Sequence, residues 1–155
     1  MADKTPIIDV DIHPVANRKR MLDFLPEPFR TRVAKGNAGP GTLGYWNPNG
    51  VNRPDAVSDD GQRIEADPHL LARHLFDEYD LEYGIFNPGG SLHAGLSPEP
   101  DFAAAWMRAI NDVFINDWLP VDPRFRMSLV VSPGDPKLAA EEIHRHGDHP
   151  GVVQV

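Results

Sequence analysis

Four short runs that favour β structure are separated by three stretches with helical spacing, and this alternation restricts the fold more than any other feature. In Ile7 to His13, the apolar Ile8, Val10 and Ile12 alternate with Asp9, Asp11 and His13, as strand periodicity requires. Pro14 follows and is expected to end that strand. Tyr83 to Asn87 reads as a second strand, closed by Pro88-Gly89-Gly90. Phe125 to Val131 reads as a third, and Val152 to Val155 as a fourth.

The intervening segments carry helix signals. Arg18 to Val33 is helical in pieces, interrupted by Pro26 and Pro28. Asp67-Pro68 supplies an N-cap and a first-turn proline, with Leu70, Leu71, His74, Leu75 and Tyr79 as the apolar stripe. Ser97 to Asp101 opens another helix, whose stripe is Phe102, Trp106, Ala109, Ile110, Val113 and Phe114. Core packing accounts for the aromatic members. Asp135-Pro136 caps a helix ending near His146-Gly147, with glycine in the position that favours a left-handed cap. Such alternation implies an α/β fold of parallel strands covered by helices, in one domain over 1–155. The Gly-, Pro- and Asn-rich stretch at about 35–66 is read as an irregular loop excursion.

Composition excludes several classes. The formal net charge of -8 repels phosphate backbones, so no nucleic-acid partner is expected, and no membrane partner either. There is no cysteine, which rules out disulfides and thiolate chemistry and fits a reducing cytoplasm. Any metal must then be held by His, Asp or Glu. The N-terminal apolar run is short and contains Asp9, Asp11 and His13, unlike a signal peptide or membrane span.

Asp11 and His13 are two apart on a strand and therefore share a face. A carboxylate oxygen and an imidazole nitrogen so placed are candidate ligands of one divalent ion. A salt-bridged or solvent-facing strand end is the alternative, and spacing leaves both open. Asp9 is expected on the same face, where it would position a ligand or, the favoured reading, form a structural ion pair. Asn87, Ser91 and His93 flank the Gly89-Gly90 turn; Asn87 and His93 are candidates for substrate binding, against a solvated loop histidine for His93. Tyr45 and Trp46 would line a cleft or anchor the loop. His144, His146 and His149 cluster near a helix C-terminus and are read as solvated. No phosphate-cradling glycine motif and no nucleophile elbow are present.

The run Ile8-Asp9-Val10-Asp11-Ile12-His13 resembles the first-strand motif of the amidohydrolase superfamily, in which a His-x-His pair binds metal. It is more closely similar to the amidohydrolase-related branch that includes aminocarboxymuconate-semialdehyde decarboxylase. Similar stretches are Asn52-Arg53-Pro54-Asp55-Ala56 with Asp60-Gly61, Leu75-Phe76-Asp77-Glu78-Tyr79, Asn111-Asp112 with Trp118, Asp122-Pro123-Arg124-Phe125 and Gly151-Val152-Val153-Gln154-Val155. Asp11 stands where the family has its first His; it keeps a ligating oxygen and would favour manganese over zinc.

The resemblance implies the first four strands of a (β/α)₈ barrel, which takes about 250 residues when complete. It further implies a metal-dependent decarboxylase or hydrolase of a small carboxylated substrate. The remaining ligands and the general acid or base would lie beyond the fourth strand. The catalytic residues are thus unknown, and the chain is expected to be inactive alone. Two other readings compete. One is a non-catalytic half-barrel whose open edges pair with a second copy, giving a homo-oligomer. The other is a small ligand-binding, doubly wound α/β domain.

Overall fold

The computed structural model describes residues 5–36 and 54–155. Tyr45, Trp46 and most of the expected loop excursion lie outside the described residues. Four strands form one parallel sheet: β1 (Ile8–Ile12), β2 (Tyr83–Phe86), β3 (Phe125–Ser128) and β4 (Val152–Gln154), ordered β1-β2-β3-β4. The helices are α1 (Arg18–Phe24), α2 (Phe29–Ala34), α3 (Pro68–Ala72), α4 (Ser91–Gly95), α5 (Pro100–Val113) and α6 (Pro136–His146). This is the α/β alternation expected, an open sheet with the strand order of one part of a (β/α)₈ barrel. A doubly wound domain reverses its strand order at a switch point. The described strands run in sequence without reversal, which overturns that alternative.

Local chemistry explains the helix starts. Asn17, Asp67 and Asp135 each accept two backbone N–H groups of the first turns of α1, α3 and α6. Proline occupies the first turn of α3, α5 and α6, where its missing N–H costs nothing. Gly147 ends α6 with φ -60°, so the expected left-handed cap does not form. The short α4 was not foreseen, and α5 begins at Pro100, inside the expected start.

Both α3 and α5 continue into π-helical turns, Arg73–Glu78 and Phe114–Trp118. A π turn inserts a residue and rotates the stripe. Leu71, Leu75 and Phe76 are buried in consequence, while Tyr79 is 48% exposed and leaves the expected stripe.

Right-handed connections in a sequential parallel sheet place the covering helices on one face. The apolar side chains that meet there are Ile12, Phe86, Phe125 and Met127 from the strands and Leu75, Phe76, Ile110, Phe114 and Trp118 from the helices. Phe86 is fully buried at their centre, its ring centroid 4.6 Å from Phe125, 5.7 Å from Trp118 and 5.8 Å from Phe114. At the neighbouring face-sharing position, a Cβ on Gly84 would lie 2.8 Å from Ile12 Cδ1. Glycine there lets Ile12 and Leu75 close over the strand.

The two edge strands are irregular. Ile8 pairs with Tyr83 and Ile12 with Phe86, so four steps of β1 oppose three of β2. The extra residue is a bulge, and it reverses the alternation of side chains across it. Asp9 is level with Gly84, on the helix side, where it borders a cleft with His74, Leu75 and Leu81. Asp9 therefore does not share the face of Asp11, and Ile8 does not share that of Ile12. Ile8 and Val10 are 50% and 57% exposed. A matching irregularity in β4, where Met127 and Ser128 pair with Val152 and Gln154, places Val152 against the core and Gln154 beside Ser128.

Strand β3 is shorter than expected because a side chain takes over its pairing. The buried Asn111 of α5 donates to Val130 O (2.9 Å) and accepts from Val130 N (3.0 Å). The same amide donates to Glu142 Oε1 of α6 (2.7 Å), and Glu142 also receives Arg145 and Arg108. Arg145 continues to Asp112, which also meets His146 Nε2 at 3.1 Å. His146 is thus a partly buried hydrogen-bond partner of Asp112, not a solvated side chain; His149 is half-buried and accepts from Gly151 N, and His144 alone of the three is exposed.

Burial would raise the Glu142 carboxyl, but hydrogen bonds from Arg145 and Asn111 and the charges of Arg145 and Arg108 hold it below the ordinary range. A carboxylate depressed in the folded state adds stability that is full above its unfolded value, near 4.3. That stability drains as pH falls through the folded value. Two outcomes are expected in urea unfolding. Phe86→Ala should lose about 3–5 kcal/mol at pH 7. Glu142→Gln should lose about 3 kcal/mol at pH 7 and show a smaller further loss than wild type between about pH 5 and pH 3.

Candidate metal site at the strand ends

The bulge in β1 frees Asp11 N–H from the ladder, and Asp9 Oδ1 accepts it at 3.0 Å. Past the bulge, the Asp11 and His13 side chains turn to the same side. His13 Nε2 lies 3.1 Å from Asp11 Oδ1. His13 Nδ1 lies 3.0 Å from the main-chain oxygen of Asn87, one residue past β2. A carbonyl only accepts, so Nδ1 carries the ring proton in the neutral imidazole and Nε2 presents its lone pair. That lone pair faces a carboxylate, which also only accepts. A positive centre on Nε2, either a proton or a metal ion, resolves the contact. A Nδ1–H donated to a backbone carbonyl is also how metal-bound histidines are commonly oriented.

Asn87 is tied in by every polar group it has. Its N–H donates to Ile12 O (2.7 Å), and Nδ2 donates to Val10 O (2.9 Å) and to Asp11 Oδ1 (3.2 Å). Its Oδ1 accepts from Ser128 Oγ (2.6 Å), which accepts from Gln154 Nε2 (2.6 Å). One residue from each strand or strand end thus joins a polar line across the sheet, on the face opposite Phe86. Beyond β1 and β2 the chains stay together through a Val15–Gly89 bridge, with Gly89 N donating to Pro14 O at 2.8 Å. A Cβ on Gly89 would sit 3.0 Å from that same oxygen, and Gly90 has φ +87°. Gly90 thus takes the left-handed conformation that favours glycine, and a side chain at Gly89 would press on the Pro14 carbonyl.

An open cleft of about 460 Å³ lies over the ends of β2, β3 and β4, bordered by Asn87, Ser91, Leu92, Leu96, Ser128 and Gln154. Its volume is within the usual range for small-molecule sites. A larger cleft of about 550 Å³ opens beside α3 between Asp55, Asp60, His74 and Glu78, but no strand-end side chain borders it. The strand-end cleft is the one next to the ligand-type groups.

Of the residues singled out in the sequence, Asp11, His13 and Asn87 come together. His93 is half-exposed on α4 and is not among the residues bordering the strand-end cleft. Ser128 and Gln154 escaped notice. The available signal was a small polar residue inside the expected strand Phe125 to Val131, and a glutamine amid valines in the last one.

A family model described as amidohydrolase matches residues 8–155. The chain belongs to the amidohydrolase family. No curated protein matches it. Members of the amidohydrolase superfamily generally use divalent metal ions. The donor set here is one carboxylate oxygen and one imidazole nitrogen at a mutual distance that one ion can bridge. Among the described residues, no group of three or more His, Asp or Glu side chains stands close enough to hold an ion. Asp11 and His13 thus offer two donors of the kind a divalent ion takes, without a third beside them among the described residues. Among the described residues, no helix is long and apolar enough to cross a membrane.

Proposed function

We propose that these residues form the first four strands of a metal-dependent amidohydrolase barrel of the aminocarboxymuconate-semialdehyde decarboxylase-like branch. It would cleave a C–C or C–N bond of a small carboxylated substrate, as a decarboxylase or hydrolase, in the cytoplasm. The observation that carries this reading is the Asp11–His13 pair, with both imidazole nitrogens facing acceptor oxygens. Asp11 Oδ1 and His13 Nε2 would hold zinc or manganese, the carboxylate favouring manganese. Such an ion polarises a substrate or water oxygen.

The residues of this chain have separate tasks in that reading. Asn87 and the β1 bulge hold the two ligands on one side of the sheet. The polar floor of Asn87, Ser128 and Gln154 and the apolar Leu92 and Leu96 shape the adjoining cleft for a small amphiphilic molecule. His93, on α4 next to the cleft-lining Leu92, would act on a substrate carboxylate. The general acid or base is assigned to no described residue. Two ligands are one fewer than a catalytic zinc usually has, so the 155-residue chain alone is expected to show no turnover.

Elemental analysis after dialysis tests the pair directly. Metal retained by wild type and lost in Asp11→Ala and in His13→Ala is the expected result. Equal metal content in all three proteins would sink the assignment.

A non-catalytic, self-pairing module is the second reading, favoured by the exposed Ile8 and Val10 on edge strand β1 and Val153 on β4. Size-exclusion chromatography separates the two. A concentration-independent dimer supports the module, and a monomer removes it.

A further inference from the structure

We infer that Asn87 is a positioning residue for the Asp11–His13 pair, and that Ser128 and Gln154 fix the orientation of its amide. The inference rests on the metal reading above only for its consequence on ion binding. Its geometric part stands without an ion.

The hydrogen bonds admit one orientation of the Asn87 amide. Nδ2 faces Val10 O and Asp11 Oδ1, both acceptors, at 2.9 and 3.2 Å. Flipping the amide would put Oδ1 against two oxygens. On the other side, Oδ1 receives the Ser128 hydroxyl at 2.6 Å. That hydroxyl has its proton committed to Asn87 because it accepts from Gln154 Nε2, also at 2.6 Å. Ser128 is 7% exposed, so the donor is held in a largely dry position. The direction of donation therefore runs from β4 through β3 and β2 to the carboxylate on β1.

The main chain of the same residue sets the imidazole. Asn87 O takes the Nδ1 proton and leaves Nε2 toward Asp11. Asn87 N–H to Ile12 O (2.7 Å) and Nδ2 to Val10 O clamp that carbonyl against β1. Removing the side chain would loosen the carbonyl as well as the carboxylate. All four polar groups of Asn87 are engaged within the protein, so its action on a substrate would pass through the pair and not by direct contact. This differs from the substrate-binding role that the sequence suggested.

The experiment uses the full chain and Zn²⁺ as probe, with two readouts. Nitrogen-15 NMR of the imidazoles reports the His13 tautomer without metal, and calorimetry reports Zn²⁺ affinity. Wild type, Asn87→Ala, Ser128→Ala and His13→Ala are compared, the last assigning the His13 signals and the specific Zn²⁺ site. The expected result is a single His13 ring form with Nδ1 protonated in wild type that becomes a mixture of ring forms in Asn87→Ala. Zn²⁺ binding should weaken about 10–100-fold in Asn87→Ala, with a smaller effect in Ser128→Ala. Ser128→Ala keeps the test open should Asn87→Ala fail to fold. Then a wild-type tautomer and affinity in Ser128→Ala overturn the inference, and a shift in either supports it. If wild type binds no Zn²⁺ at the His13 site but the tautomer responds to Asn87→Ala, the metal reading fails and the positioning role stands. A tautomer and affinity untouched by both substitutions overturn the positioning role.

Discussion

Phe86 and Asn87 are consecutive, and the pleat turns them to opposite faces of the sheet. The fully buried Phe86 is the contact through which β2 holds the helix layer, since its ring meets Phe114, Trp118 and Phe125. Asn87 holds the other face, bonding to β1 and to Ser128 of β3. Because the two are adjacent, packing that fixes the Phe86 ring also fixes the height and direction of the Asn87 amide. The apolar core and the polar line are coupled at one peptide bond.

The edge strands depend on this centre. Each carries one irregularity, and each irregularity aims a polar side chain at the line that Asn87 begins. In β1 the bulge separates Asp9, which drops to the helix side, from Asp11 and His13. In β4 it lets Val152 pack inward while Gln154 reaches Ser128. Bulges occur next to functional sites because they re-aim side chains without breaking the sheet. Here they give two edge strands the geometry that regular alternation would deny them.

A second polar system stands behind the sheet. Asn111, Glu142, Arg145 and Asp112 join α5 to α6 and to the segment after β3. A buried carboxylate such as Glu142 is tolerable only with its charge and lone pairs matched. Asn111 also supplies Val130 with the backbone partners that a neighbouring strand would otherwise provide. Sheet pairing therefore ends at Ser128, which leaves that hydroxyl at the strand tip, where it joins the polar line.

The sequence by itself determined the element order, the parallel α/β class, the proline- and Asx-capped helix starts and the nearness of Asp11 to His13. These are local properties: a period of two or of 3.6, a cap, and a two-residue spacing on a strand. Tertiary structure alone decided which side Asp9 faces, where the third strand stops, that His146 is paired with Asp112, and that Asn87 meets the Asp11–His13 pair. Each depends on a contact between residues far apart in the chain. His13 and Asn87 are 74 positions apart, and Asn87 and Ser128 are 41 apart. Sequence periodicity has no term for a bulge, since one inserted residue reverses every later side chain while leaving composition and hydropathy unchanged.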